Sequence, residues 1–255
     1  MKGLLIKDFF CLKKQLTNYV FIIVGVIVIS VLFVLSYNFG NIHAGFAEMV
    51  DSGQNAESDI VMIATTALLL FMMIPLACTG DITNLFTDDE NASFYKVASA
   101  LPIPVGKRVA CRFLAGYLFI AVGMAVDFVM TVILSALTDI IYFGRFCGVI
   151  VTFSSIMLMY VSLLILLMYV LGNGKSAYAG TIVLFLGAAA YVLANLSRFQ
   201  AFMLGSDENA LLDLYEQTTD FIFHKSYILL IAAVVLSGAA YLAAVQTAKR
   251  KRGVA

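Results

Sequence analysis

Asp127 is the one ionisable residue that lies well inside a long apolar stretch of this chain, Phe113–Leu137. A carboxylate placed in the hydrocarbon interior of a bilayer costs several kcal/mol, so such a residue must face protein or water. It could serve as a proton relay or as a contact for a polar substrate. It could equally be a structural carboxyl that hydrogen-bonds to a neighbouring helix. Since no charged residue inside another apolar stretch could pair with it, ion coupling has thin support.

Other groups that could do chemistry are scattered. The two histidines, His43 and His224, lie far apart and outside the apolar stretches, and no two of the four cysteines have metal-ligand spacing. The segment Gly172–Ser176, "GNGKS", ends like a phosphate-binding loop, but that motif requires glycine where Tyr169 stands. We therefore predict a flexible turn there, with no nucleotide site, no metal site and no cofactor bound by this chain.

Composition places the chain in a membrane. Of its 255 residues, 62% are hydrophobic and 13% are charged, and the mean hydropathy is +0.97. A transmembrane helix needs about 20 mostly apolar residues. Six stretches qualify, which predicts an all-α polytopic protein with six transmembrane helices: Tyr19–Tyr37, Ile60–Cys78, Phe113–Leu137, Phe146–Leu171, Ala177–Leu196 and Tyr227–Val245.

The basic residues predict the orientation of these spans. Thirteen of the 16 Lys and Arg residues fall before the first span, in the loop 79–112, in the loop after the fourth span or after the last span. Cytoplasmic loops carry such an excess. We therefore expect a multi-pass protein of the cytoplasmic membrane with both termini in the cytoplasm, and we expect no nucleic-acid partner.

Two segments flank or interrupt the predicted permease domain, residues 19–255. Residues 1–18 place leucine and phenylalanine at helical spacing beside several lysines, which predicts an amphipathic helix lying on membrane lipid. The alternative is a basic tail that only sets topology. The predicted outer loop 197–225 mixes apolar and acidic residues, which favours short helices over a structureless loop.

A short polar helix is predicted within the loop 79–112. Thr87 and Glu90 fit a capping box, so a helix should begin here, and Pro102 should end it. This helix is too short and too charged to span. It has an apolar stripe that must meet a partner or the headgroups at the cytoplasmic face, and the stripe consists of Phe94, Val97, Ala98 and Leu101.

The segment "DDENASFYKVASALPIPVGKRV" resembles the signature loop of type-2 ATP-binding-cassette (ABC-2) permeases. The opening "MKGLLIKDFFCLKKQL" resembles the start of small bacterial permeases that export amphipathic or antimicrobial peptide toxins, of the phenol-soluble modulin type. One departure is "PVGKR", where family members often have Ser or Arg directly after the proline pair. The resemblance covers the whole chain.

The resemblance implies a mechanism. Two such chains, identical or sister permeases, would form the translocation pathway, and each would bind a separate ATPase subunit that holds ATP and Mg²⁺. This chain would not itself be an enzyme. The short helix would be a cytoplasmic coupling helix seated on that ATPase, and its docking residues would be Asp89, Glu90, Phe94, Tyr95, Val97, Ala98, Leu101 and Pro102.

Two other classes compete with this interpretation. A proton-coupled secondary transporter would use Asp127, but the two halves of the chain show no clear internal repeat. An intramembrane enzyme would need paired catalytic residues inside the spans, where Asp127 stands alone. The resemblance implies hydrophobic or amphipathic peptides as substrates, with lipids or drugs as alternatives.

Overall fold

A computed structural model describes residues 3, 6–8, 13–38, 73–78, 103–137, 143–203 and 210–253. Every regular element in these ranges is a helix, which confirms the all-α class. The helices are α1 (Lys13–Asn38), α2 (Ile74–Ala77), α3 (Val105–Leu137), α4 (Phe143–Leu171), α5 (Asn173–Ala194), α6 (Leu196–Met203) and α7 (Ala210–Gly253).

Four of these helices are long and apolar enough to cross a membrane. They contain the segments Leu16–Ser36, Val105–Leu137, Phe146–Leu171 and Asp220–Arg250. A shorter apolar helix, Tyr178–Ala194, forms most of α5. Only residues 73–78 of the predicted second span are among those that the structure describes. A membrane-spanning helical protein is therefore confirmed, while the count of six spans stays a prediction.

Contacts at two heights show that α1 and α3 run in the same direction. The rings of Tyr19 and Phe119 are 5.9 Å apart between centroids. Further along both helices, Val34 shares an apolar cluster with Leu134. Because the two pairs have the same sequence offset, α1 and α3 are parallel neighbours.

The helix α4 runs the opposite way beside α3. The hydroxyls of Tyr117 and Ser162 are 3.0 Å apart. Leu134, farther along α3, clusters with Phe146, which lies near the beginning of α4. The residue numbers rise on one helix as they fall on the other, so the pair is antiparallel.

The last helix, α7, returns to the end of the bundle where α3 begins. The Tyr241 ring meets the Phe113 ring edge to face at 5.6 Å, and Ala244 is buried in the same cluster. At the far end, the Tyr191 hydroxyl of α5 lies 3.0 Å from that of Thr218. We call the end that holds Lys107 and Lys249 the basic end.

Two loops differ from the sequence prediction. The turn Gly172–Ser176 reduces to Gly172 alone, whose φ of 84° is readily adopted by glycine. It separates α4 from α5 without a loop. The predicted outer loop 197–225 is largely helical, since α6 occupies its start and α7 already begins at Ala210. The short helix α6 agrees with the predicted short helices, whereas residues 210–225 extend the final helix.

Gly148 brings α4 and α7 into backbone contact. A methyl group added at this residue would lie 2.7 Å from the carbonyl oxygen of Ile222 and 3.1 Å from the Cα of Phe223. Real side chains essentially never approach a backbone oxygen so closely. Only glycine therefore permits this separation of the two helices.

We predict that Gly148→Ala destabilises the bundle by about 1–3 kcal/mol, the usual cost of overpacking, because α7 cannot yield as a flexible side chain would. Gly144→Ala, one turn earlier on α4, is the matched control, since nothing lies within 4 Å of its added methyl. Unfolding in mixed micelles measures both variants. Equal stability of the two would contradict the close approach.

Candidate functional site

Asp127 lies on the buried face of α3, with only 1% of its surface exposed. The Thr131 hydroxyl, one turn later, donates a 2.8 Å hydrogen bond to the backbone carbonyl oxygen of Asp127. The carboxylate oxygen Oδ2 has no hydrogen-bond partner within the described ranges. The side chain is therefore buried against protein, one of the two surroundings, protein or water, that the sequence predicted.

Other buried hydroxyls lie at the same depth as Asp127. Asp127 is ten residues beyond Tyr117 on α3, and Thr152 is ten residues before Ser162 on the antiparallel α4. Because Tyr117 and Ser162 are in contact and both helices rise 1.5 Å per residue, Asp127 and Thr152 lie at nearly equal height. Ser154 lies at almost the same height, on the opposite side of α4 from Thr152, and is 4% exposed.

The parallel helix α1 contributes to this height as well. Val34 clusters with Met130 and Leu134, which places Ser30, one turn earlier on α1, near the level of Asp127. Ser30 is fully buried. We call Ser30, Asp127, Thr152 and Ser154 the polar layer.

Each residue of the polar layer has a buried polar atom without a hydrogen-bond partner among the described residues. Such atoms are costly in an apolar interior unless they are satisfied. Water, a bound polar solute or the remaining residues of the chain must therefore supply the partners. No three His, Cys, Asp or Glu side chains come together as metal ligands in the described part of the chain. The four groups share a height along the bundle, and each offers a hydrogen-bonding atom inside it.

A second cluster of charges lies at the basic end. Asp8 is 2% exposed, and its Oδ1 atom lies 3.5 Å from Nη1 of Arg112 and 3.2 Å from Nζ of Lys7. Arg112 is itself 9% exposed. This pair fixes the segment at residues 6–8 to the second turn of α3.

Sequence reasoning missed the pair of Asp8 and Arg112, although one signal was present. Asp8 is the only acidic residue among residues 1–18, and it shares a helical face with Leu5 and Leu12. A lone acid on an apolar face requires a buried basic partner. The partner stands 104 residues later, so local spacing could not identify it.

The predicted ATPase-docking residues, from Asp89 to Pro102, lie outside the described residues. The structure resumes at residue 103, and α3 begins at Val105. The carbonyl oxygen of Pro104 accepts hydrogen bonds from the amides of Lys107 and Arg108, at 3.0 and 3.3 Å. Pro104, two residues after the predicted docking segment, therefore accepts the first hydrogen bonds of α3.

Comparison with known families identifies the chain. The family model described as "ABC-2 family transporter protein" matches residues 58–248, about three quarters of the sequence. The chain belongs to the ABC-2 transporter family. No match was found among curated proteins or among solved structures. The match includes the region of the predicted coupling helix and most of the membrane-spanning helices, and permeases of this family typically work with an ATPase subunit.

We predict that the pair of Asp8 and Arg112 is energetically coupled, because both partners are buried. A double-mutant cycle with Asp8→Asn and Arg112→Gln should give a coupling energy of about 0.5–3 kcal/mol, as for contacting residues in one network. Unfolding of the full-length permease in mixed micelles is the measurement.

The control for this cycle is the exposed pair of Asp220 and His224, 2.8 Å apart on α7. Their side chains are 63% and 71% exposed, so solvent should reduce their coupling to near zero. Additive effects of the two Asp8 and Arg112 substitutions would show that the segment at residues 6–8 is not held by this pair.

Proposed function

We propose that this protein is the membrane-spanning permease subunit of an ATP-driven ABC exporter in the cytoplasmic membrane. The family match over residues 58–248 carries this proposal. The helical bundle, with four helices of membrane-spanning length and composition, supports it. The basic end faces the cytoplasm, following the positive-inside rule.

Energy enters through a separate ATPase subunit bound at the basic end, which holds ATP and Mg²⁺. The helix Thr87–Leu101 docks on this ATPase through its apolar stripe. Pro104, three residues after Leu101, accepts the first hydrogen bonds of α3, and this closeness in sequence supports the role. When the ATPase subunits close, the coupling helix moves and α3 moves with it.

Two permease chains, identical or sister copies, form the pathway between them. The substrates are hydrophobic or amphipathic peptides. Two observations support this class: the opening segment resembles those of amphipathic-peptide exporters, and the polar layer offers hydrogen-bonding groups inside an otherwise apolar bundle. An amphipathic peptide presents both kinds of surface.

Phe94→Asp should weaken association with the ATPase by about tenfold or more. Burial of a large apolar side chain contributes about 1.5–3 kcal/mol, and each 1.4 kcal/mol is a factor of ten in affinity. Peptide export and permease-stimulated ATP hydrolysis should fall together with binding. Copurification of the two subunits from membranes measures the association.

Ser99→Asp is the matched control, because residue 99 lies on the opposite face of the predicted helix from Phe94. It adds the same charge and should leave the complex intact. Loss of Asp89 or Glu90 should have a milder effect, since exposed ion pairs contribute little. If Phe94→Asp changed neither the complex nor the export rate, the docking role would be wrong. The helix would then rest on the lipid headgroups.

One observation favours a second candidate, a proton-coupled transporter: the buried Oδ2 atom of Asp127 has no partner among the described residues. For the ATP-driven exporter we predict that Asp127→Asn keeps most of the export rate, since the amide still hydrogen-bonds. Export should also survive collapse of the proton gradient. The measurement is peptide export from vesicles containing the permease and its ATPase, with and without an uncoupler.

The opposite result would favour proton coupling. Export that needs the gradient and disappears in Asp127→Asn would assign the driving force to this carboxylate. Thr152→Val is the matched control, because it removes another polar group at the same height without changing an ionisable one.

A further inference from the structure

A groove of about 530 Å³ opens at the basic end between the start of α3 and the last turns of α7. It is lined by Pro104, Val105, Gly106, Lys107, Ala110, Tyr241, Val245 and Lys249. Its volume lies within the range of small-molecule binding sites. It is separate from the polar layer, which lies deeper in the bundle.

The two sides of the groove have the same order of polarity. On α7, Tyr241, Val245 and Lys249 follow one another at one-turn intervals, so the lysine is nearest the basic end. On α3, Lys107 precedes Ala110 and is likewise nearer that end. Lys249 therefore lies nearer the basic end than Val245, and Lys107 lies nearer it than Ala110, while Pro104 and Val105 line the groove before Lys107.

Among the described residues, no carboxylate neutralises the charge at the mouth. Lys107 and Lys249 are both exposed, and neither forms a salt bridge with a described residue. No carboxylate lines the groove. Two like charges at one opening favour an anion between them.

We propose that this groove binds an anionic phospholipid, with its phosphate between Lys107 and Lys249 and its acyl chains along Val245 and Ala110. The polarity of such a lipid, an anionic head followed by apolar chains toward the bilayer centre, matches the order of the lining residues. An acidic soluble protein could pair with the two lysines at the mouth, but it would not fill the apolar part of the groove. Leu242, beside the groove on α7, is 61% exposed, so the apolar wall continues onto a surface that lipid can cover.

Binding here would place a lipid against the first turn of α3, where the Pro104 carbonyl holds the Lys107 and Arg108 amides. The lipid would then stabilise the junction between the coupling segment and α3. The lipid proposal needs the membrane-spanning bundle but neither export nor an ATPase, so it can fail while the proposed function stands.

The test uses the full-length permease in phosphatidylcholine vesicles, with a tryptophan introduced as the reporter. Because the natural chain contains no tryptophan, Leu242→Trp gives a single fluorescent site beside the groove. Quenching is compared between vesicles doped with phosphatidylglycerol and with phosphatidylcholine, each brominated on its acyl chains. We expect phosphatidylglycerol to quench more strongly. Each lysine near the headgroup should contribute roughly fivefold in lipid affinity.

The Phe185→Trp reporter, at a 72% exposed site on α5, should show no preference between the two lipids. In the Leu242→Trp protein, Lys107→Gln with Lys249→Gln should remove the preference. Lys175→Gln should keep it, since Lys175 is an exposed lysine outside the groove. Arginine at both groove positions should also keep it, which separates loss of charge from loss of folding.

Three results would overturn the proposal. Equal quenching by the two lipids at Leu242→Trp would mean that another part of the chain or a protein partner fills the groove. If Phe185→Trp showed the same preference for phosphatidylglycerol, the protein would attract anionic lipid over its whole surface and not at the groove. A preference that survives the double glutamine variant would place the lipid elsewhere.

Discussion

The backbone contact between α4 and α7 at Gly148 is the constraint on which the rest of the bundle depends. The helix α4 packs against α3 and α5 as well as α7, so its position sets that of the other long helices. A side chain at residue 148 would force α7 away from Ile222 onward. The same helix carries Tyr241 and Ala244, which complete the apolar cluster with Phe113 at the basic end.

The start of α3 is the second point on which the structure depends. Three features meet within its first turns: the carbonyl of Pro104, the groove with Lys107, and Arg112 paired with Asp8. Chain segments from residues 6–8, 103–112 and 241–249 are thereby held together, although they are distant in sequence. An ATPase that moves the segment before Pro104 would act on all three at once.

Much of the bundle could be predicted from apolar length alone. The predicted spans Tyr19–Tyr37 and Phe146–Leu171 fall within α1 and α4. Their C-terminal ends agree with the helix ends to within one residue. Their N-terminal ends begin three or more residues late, because a polar turn precedes each apolar stretch. Hydropathy reports the part of a helix that contacts lipid, so it missed the extension of α7 back to Ala210 and of α3 back to Val105. Both extensions carry charged residues that leave the apolar zone.

The candidate site residues also divide into one that the sequence reveals and others that only the fold reveals. Asp127 could be found because a single charge in an apolar run is visible without the fold. Ser30, Thr152 and Ser154 could not, since a serine or threonine within a span usually hydrogen-bonds to its own helix, as Ser155 does with the carbonyl of Val151. Only the register between helices shows that they share one height with Asp127.

These two regions are connected by α3 itself, which begins directly after Pro104 and carries Asp127 in its interior. The helix has 33 residues, about 50 Å at 1.5 Å per residue, and it contains no proline after its start that could absorb a displacement as a kink. A tilt of α3 relative to α4 would move Asp127 relative to Thr152. Because the polar layer consists of groups from α1, α3 and α4, such a tilt changes which of its hydrogen-bonding groups are available to a solute. Under the proposed function, this is the route by which movement at the basic end would reach the interior of the bundle.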